Sequence, residues 1–239
     1  MITGLLISNF YLFSDKITGN AAREQARVGR VIDGDTLKLE DGRTIRLLNI
    51  NSPEKGTIGA NLSYIFLKSF ENQTVEVEII GTDKYKRSLA RIYDQNSVYI
   101  NMEIVSRGLA SKFLVQESEL SDFANAEKKA IENSLGIWKR SPQFGCFKSE
   151  IDKDEEIIIL TNTCDSTNVA SWMLKDESRK IYKFKNINLG QISLHSSDGT
   201  ENSTDLFWNS QTNVWNSDRD TLYLFDSNGG IVQHESYGY

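Results

Sequence analysis

Cysteine, proline and histidine occur only twice each in 239 residues. Cys146 and Cys164 form no Cys-x-x-Cys pair, and His195 and His234 stand apart in strand-like runs, so a zinc constellation is excluded. Long apolar runs are also missing. Residues 1–13, MITGLLISNFYLF, are apolar but about half the ~20 residues that span a bilayer. No Lys or Arg precedes that run, so a complete signal peptide is not visible. Two readings of the segment stay open: a truncated membrane anchor or signal with a polar spacer behind it, or an N-terminal arm packed on a domain. There is no internal repeat and no low-complexity tract. The hydrophobic fraction of 39% excludes a disordered chain.

The net charge of -6 is unevenly spread. Residues 27–142 carry a balance of +1 and residues 143–239 one of -7. A nucleic acid would therefore bind the first segment and be repelled by the second.

The chemistry-bearing stretch is residues 28–55, VGRVIDGDTLKLEDGRTIRLLNINSPEK. Alternation predicts strands over 28–32, 36–40 and 44–50, with Asp41-Gly42 as a hairpin turn. Asp33 and Asp35 flank Gly34 on the first connection, Arg46 sits amid apolar residues of the third strand, and Glu54 follows Pro53 on a rigid turn. Two acids, an arginine and a third acid thus converge at the strand ends of one small sheet.

Further on, apolar residues at Ile58, Leu62, Ile65, Phe66 and Phe70 mark a helical stripe over 58–72. Strands are predicted over 74–80 and 88–93, a short helix over 102–107 capped by Asn101, and a longer helix over 119–133. Five strands with a helix between the third and fourth is the order of an OB-fold five-stranded barrel, here α+β with three helices. Beyond residue 147 the runs at 156–160, 169–174, 192–195, 221–225 and 231–234 are short and strand-like, between turns such as Asp198-Gly199. They predict an all-β immunoglobulin-like sandwich. The expected organisation is an apolar segment and spacer at 1–26, a barrel domain at 27–142 and a sandwich at 147–239, with the change of pattern at 141–145 beside Pro142.

The stretches VIDGDTLKLEDG, RLLNINSPE, DKYKRSLARIY, VSRGLA and AEKKAIENSLGIW, in this order, resemble the staphylococcal nuclease family across residues 28–140. Residues 147–239 resemble a lamin-tail domain through EEIIILTNT, SWMLKDESRKIYKF and STDLFWN with VWNSDRDTLYLFDSNG. The first resemblance implies a calcium-dependent (Ca2+, or another divalent cation) endonuclease that cleaves phosphodiester bonds of single-stranded DNA or RNA and leaves 3′-phosphate ends. On that resemblance Asp35, Asn51 and Ser52, the last through its carbonyl, are the expected metal ligands, with Asp33 behind them. Arg46 and Arg87 match the phosphate-binding arginines, and Glu54 the residue that orients or deprotonates the attacking water. Tyr85 matches a tyrosine of the nucleotide site.

Two positions depart from the family pattern. Asn51 stands where a second metal-binding aspartate is usual. Ser111-Lys112-Phe113-Leu114 stands where a base-stacking tyrosine is expected. The rival reading is a catalytically weak or silent OB-fold that only binds nucleic acid. For the lamin-tail-like segment the resemblance implies an interaction or anchoring module with an unknown partner. The anchor-like first residues suggest an extracellular protein, or one membrane-anchored and facing outside. In that setting Cys146 and Cys164 are expected to form a disulfide.

Overall fold

The computed structural model describes residues 22–239. The expected apolar segment at 1–13 lies outside them. Among the described residues no helix is long and apolar enough to cross a membrane. The chain divides into two compact units, one ending at Ile104 and one beginning at Val105.

The first unit contains β1 (Glu24–Val31), β2 (Thr36–Leu39), β3 (Thr44–Leu47), β4 (Ile50–Asn51), α1 (Ala60–Lys68), β5 (Thr74–Thr82) and β6 (Ser88–Tyr93). Five of these strands close a barrel in the order β1-β2-β3-β6-β5, with β3 and β6 parallel and the other neighbours antiparallel. This is the OB-fold arrangement. Period-two alternation fills it, because Leu37 and Leu39, Ile45 and Leu47, Val75 and Val77, and Ala90 and Ile92 are all buried. Gly42 makes the β2–β3 hairpin turn at φ 95, a conformation that suits glycine.

Three expectations change here. The run 44–50 is broken by Asn49, whose φ of 68 is left-handed and ends β3 before β4 begins. The helix over 58–72 is shorter, and its large apolar residues Ile58, Leu62 and Ile65 are exposed. Its buried residues are Ala60, Ser63 and Leu67. Asn101 caps nothing: it lies inside α2 (Ile100–Ser106). Its buried amide donates to the carbonyls of Leu48 and Ala90, both at 3.0 Å, and accepts from Ile92 N–H, closing gaps between strands.

The second unit holds β7 (Ser111–Lys112), α3 (Leu120–Glu132), β8 (Phe147–Asp152), β9 (Ile157–Asn162), β10 (Thr167–Asn168), β11 (Met173–Lys175), β12 (Ile181–Lys183), β13 (Asn188–Leu189), β14 (Gln191–His195), β15 (Asp205–Phe207), β16 (Asp220–Phe225) and β17 (Ile231–Tyr237). Two four-stranded sheets form, β12-β11-β16-β17 and β15-β14-β9-β8. Phe147, Ile158, Leu160, Ile192 and Leu194 of one share a single core with Leu174, Tyr182, Leu222, Leu224 and Val232 of the other. The expected strand over 169–174 is mostly turn, since only Met173 and Leu174 of it enter β11.

Residues 141–145 lie inside the second compact unit. Residues of α3 pack within the second unit, where Ala130, Ile131 and Trp138 share a core with Tyr223, Phe225 and Ile231. A buried polar network lies beside it. Lys112 is 1% exposed, and its Nζ donates to Glu127 Oε2 at 2.7 Å and Thr221 Oγ1 at 2.6 Å. Tyr223 donates to Glu127 at 2.9 Å, and Tyr239 donates to Glu177 at 2.5 Å. A buried charge of this kind is tolerable only when paired.

Cys146 and Cys164 are joined by a disulfide with Cα atoms 5.2 Å apart, tying the chain before β8 to the turn after β9. On the chain-entropy argument a loop of this size is worth about 3 kcal/mol. Reduction, or Cys164→Ala, should lower the denaturation midpoint accordingly. An unchanged midpoint would show that the loop is closed without the bond.

Burial pushes the Asp176 carboxyl up to about 6 and those of Glu177 and Asp220 up to about 7. A carboxyl raised on folding binds its proton more tightly in the folded chain than in the unfolded one. Its stabilising contribution is therefore full at low pH and lost as pH rises from about 4 toward the folded value. His234, which burial lowers, acts the other way, so a difference measurement is needed. Glu177→Gln should gain stability relative to the parent as pH is raised from about 5 to about 8. A parallel pair of stability curves would contradict this.

Candidate active site

The turn between β1 and β2 is held by its own acids. Asp35 N–H donates to Asp33 Oδ1 at 3.1 Å, and Ile32 N–H donates to the Thr36 carbonyl at 2.9 Å. Asp33 is half-buried, and burial together with the charge of Asp35 raises its pKa above the ordinary carboxylate value. The Asp35 side chain is almost closed to solvent.

Both Asp35 oxygens are engaged. Oδ1 faces Arg46 Nε at 3.2 Å and accepts from Thr36 Oγ1 at 3.1 Å. Oδ2 accepts from Ser52 N–H at 2.8 Å and from Ser52 Oγ at 2.9 Å. Strand register produces the ion pair, since Thr36 pairs with Arg46 across β2 and β3 and Leu47 N–H bonds the Asp35 carbonyl at 2.8 Å. Arg46 also donates to the Leu47 carbonyl and, at 3.5 Å, to Asn51 Oδ1. Asp35, Arg46, Asn51 and Ser52 are therefore one buried cluster.

Glu54 is exposed on the turn after Pro53, where its carbonyl accepts from Thr57 N–H at 2.9 Å. Arg87 ends the β5–β6 loop, directly before Ser88, which pairs with Ile45 beside Arg46. Its Nε contacts Asp83 Oδ2 at 2.7 Å, and its guanidinium lies 5.3 Å from the ring centre of Tyr85, which is exposed. Burial works against ionisation of Asp83, but the N–H and guanidinium donors of Arg87 outweigh it and hold the carboxyl below its usual value. So the structure gathers Asp33, Asp35, Arg46, Asn51 and Ser52, while Arg87 and Tyr85 form a second pair at the start of β6.

The ligand atoms expected here, the Asp35 carboxylate, the Asn51 amide oxygen and the Ser52 carbonyl, are oxygens, the type that a hard divalent cation takes. Among the described residues, no three His, Cys, Asp or Glu gather as metal ligands. A cation here would draw on one aspartate, an amide and a backbone carbonyl.

The family model described as staphylococcal nuclease homologue matches residues 44–140. An uncharacterized endonuclease from Escherichia coli O157:H7 is 38% identical over 118 residues, covering 47% of this chain and 75% of the relative. The chain belongs to the staphylococcal nuclease homologue family. It is a nuclease, a hydrolase acting on ester bonds. Uncharacterized protein MJ1439 of Methanocaldococcus jannaschii is 30% identical over 148 residues, covering 48% of this chain and 72% of the relative. Endonuclease YhcR of Bacillus subtilis is 26% identical over 137 residues, 48% of this chain but 11% of the relative.

Two contributors to this nuclease cluster escaped the sequence reading. The Ser52 hydroxyl holds Asp35, whereas only its carbonyl was assigned a part, and Thr36 adds another hydroxyl. The signal was present in both cases. A hydroxyl residue beside an acid turn, or following a strand that ends opposite it, is placed to donate to a buried carboxylate.

Proposed function

We propose that this nuclease cleaves single-stranded DNA or RNA at the Asp35–Arg46 cluster, with calcium as cofactor and 3′-phosphate ends as product. The observation that carries the reading is the buried pairing of Asp35 with Arg46 at the strand ends, beside Asn51 and Ser52. Asp35, the Asn51 amide oxygen and the Ser52 carbonyl would hold the cation, with Asp33 supporting the turn. Bound there, it would supply positive charge against a phosphate oxygen.

The protein groups divide the remaining work. Arg46 and Arg87 pair with phosphate oxygens through their guanidinium forks and neutralise charge that grows as water adds to phosphorus. Glu54 accepts a proton from that water. The bond from phosphorus to the 5′-oxygen breaks, and the departing oxygen takes its proton from solvent water. Tyr85, exposed beside Arg87, offers a face for the nucleotide.

We assign residues 27–142 to the nuclease-like domain, in keeping with a family match that runs to residue 140. Residues 147–239 are read as an immunoglobulin-like, lamin-tail-like interaction or anchoring module. The facing four-stranded sheets support that reading. A secreted or externally anchored location fits the disulfide, which persists in oxidising compartments.

The decisive assay is hydrolysis of single-stranded DNA with calcium titrated from micromolar to millimolar. Arg87→Ala and Arg46→Lys, the latter chosen to avoid leaving Asp35 buried without a cation, should each lose about 10²–10³ in kcat. Near-parental turnover at saturating calcium would remove that arginine from the mechanism. Binding without turnover in the parent protein would favour a silent nucleic-acid-binding barrel.

Asn51→Asp should tighten calcium binding, because affinity follows the charge of the ligand set. Calorimetry giving equal or weaker affinity would exclude Asn51 as a ligand.

A further inference from the structure

We infer that Ser63 of α1 is a positioning residue for the Asp33–Asp35 turn, acting through Gly34. The inference rests on the proposed role of Asp35. A Cβ placed on Gly34 would lie 2.1 Å from Ser63 Oγ, 2.6 Å from Ser63 Cβ and 2.8 Å from Ser52 Cβ. Side chains in folded proteins do not approach so closely. Gly34 is not among the residues with positive φ, so space and not backbone conformation demands glycine there.

Three segments therefore meet with no spare volume: the acid turn, the residue following β4, and α1. Ser63 is fully buried, and its hydroxyl donates to the Ala60 carbonyl of its own helix at 3.3 Å. Its part toward the turn is accordingly volume. Because Ser52 N–H and Oγ both bond Asp35 Oδ2, displacing Gly34 from Ser63 and Ser52 moves the carboxylate against its donors. The close approach falls at the small residue Ser63, while Leu67 of the same helix is buried and Leu62 and Ile65 are exposed.

Compensation is the test. Gly34→Ala should lower kcat on single-stranded DNA by about tenfold or more, with KM changed by no more than about twofold, since a misplaced group harms the reacting geometry more than binding. It should also shift the Ser52 amide resonance. Adding Ser63→Gly removes the two closest approaches and leaves the one to Ser52 Cβ at 2.8 Å, so the double variant should recover part of the loss, several-fold in kcat, and return the resonance partway toward its parental position. A purely structural defect would not be rescued at this site by weakening the helix with a second glycine. Ser63→Val approaches from the helix side and should produce the same resonance shift and kcat loss, which keeps the test open if Gly34→Ala fails to fold at the assay temperature. Parental behaviour of Gly34→Ala or of Ser63→Val would overturn the inference. So would a double variant that folds yet is no better than Gly34→Ala. Should the parent protein not hydrolyse nucleic acid, the proposed function alone falls, and the Ser52 resonance still decides whether Ser63 sets the turn.

Discussion

Asp35 is 3% exposed, and its carboxylate, when ionised, must obtain from the protein what it loses from water. Moving such a group into the interior unpaired costs several kcal/mol. Here the Arg46 guanidinium, the Thr36 hydroxyl, and the N–H and hydroxyl of Ser52 surround it. Those groups come from β2, β3 and the residue after β4, so the charge is satisfied only when these segments are in register. Strand side chains alternate between faces, and slipping β3 by one residue would turn Arg46 away and put its neighbours opposite the acid. The barrel alternation that buries Ile45 and Leu47 thus also fixes where Arg46 stands.

That economy creates a competition on the proposed reading. Arg46 neutralises Asp35 and also touches the Asn51 amide oxygen, so each side chain expected to hold a cation faces the same guanidinium. With an aspartate at position 51 the cluster would keep a negative charge after pairing. With Asn51 it does not. A cation entering here is therefore weakly held unless Arg46 turns toward another anion, and the phosphate of a bound strand is such an anion. Cation and substrate would then bind best together.

The first unit was largely legible because its strands are half-buried and alternate. The pairs Leu37/Leu39 and Ile45/Leu47 announce both the strand and its inward face. The site residues Asp33, Asp35 and Arg46 followed from their places at strand ends. Features set by close approach were not legible. The apolar stripe of α1 suggested the wrong buried face because nothing local says that Gly34 lies beneath the helix. Asn101 looked like a cap because its three partners lie in the barrel, far from it in sequence. In the second unit β8, β12 and β15 were missed, since IYK and DLF are short and FKSEID carries charge on its outward positions.

The packing of α3 was hidden for a related reason. The helix α3 carries the family motif, and its sequence gives no hint that Glu127 faces inward. Yet Glu127 is buried with Lys112, and Tyr223 of β16 completes the pair. Removing the chain beyond residue 142 would strip Thr221 and Tyr223 from that lysine and glutamate and expose Trp138, Ala130 and Ile131. The Lys112–Glu127 pair itself would remain, but it would lose two of its buried hydrogen-bond partners and its apolar cover, against a domain stability of only about 5–15 kcal/mol. The family match ends at residue 140, but the forces that hold its last helix in place do not. The sheets after residue 147 are therefore structural support for part of the nuclease-like segment, whatever else they bind.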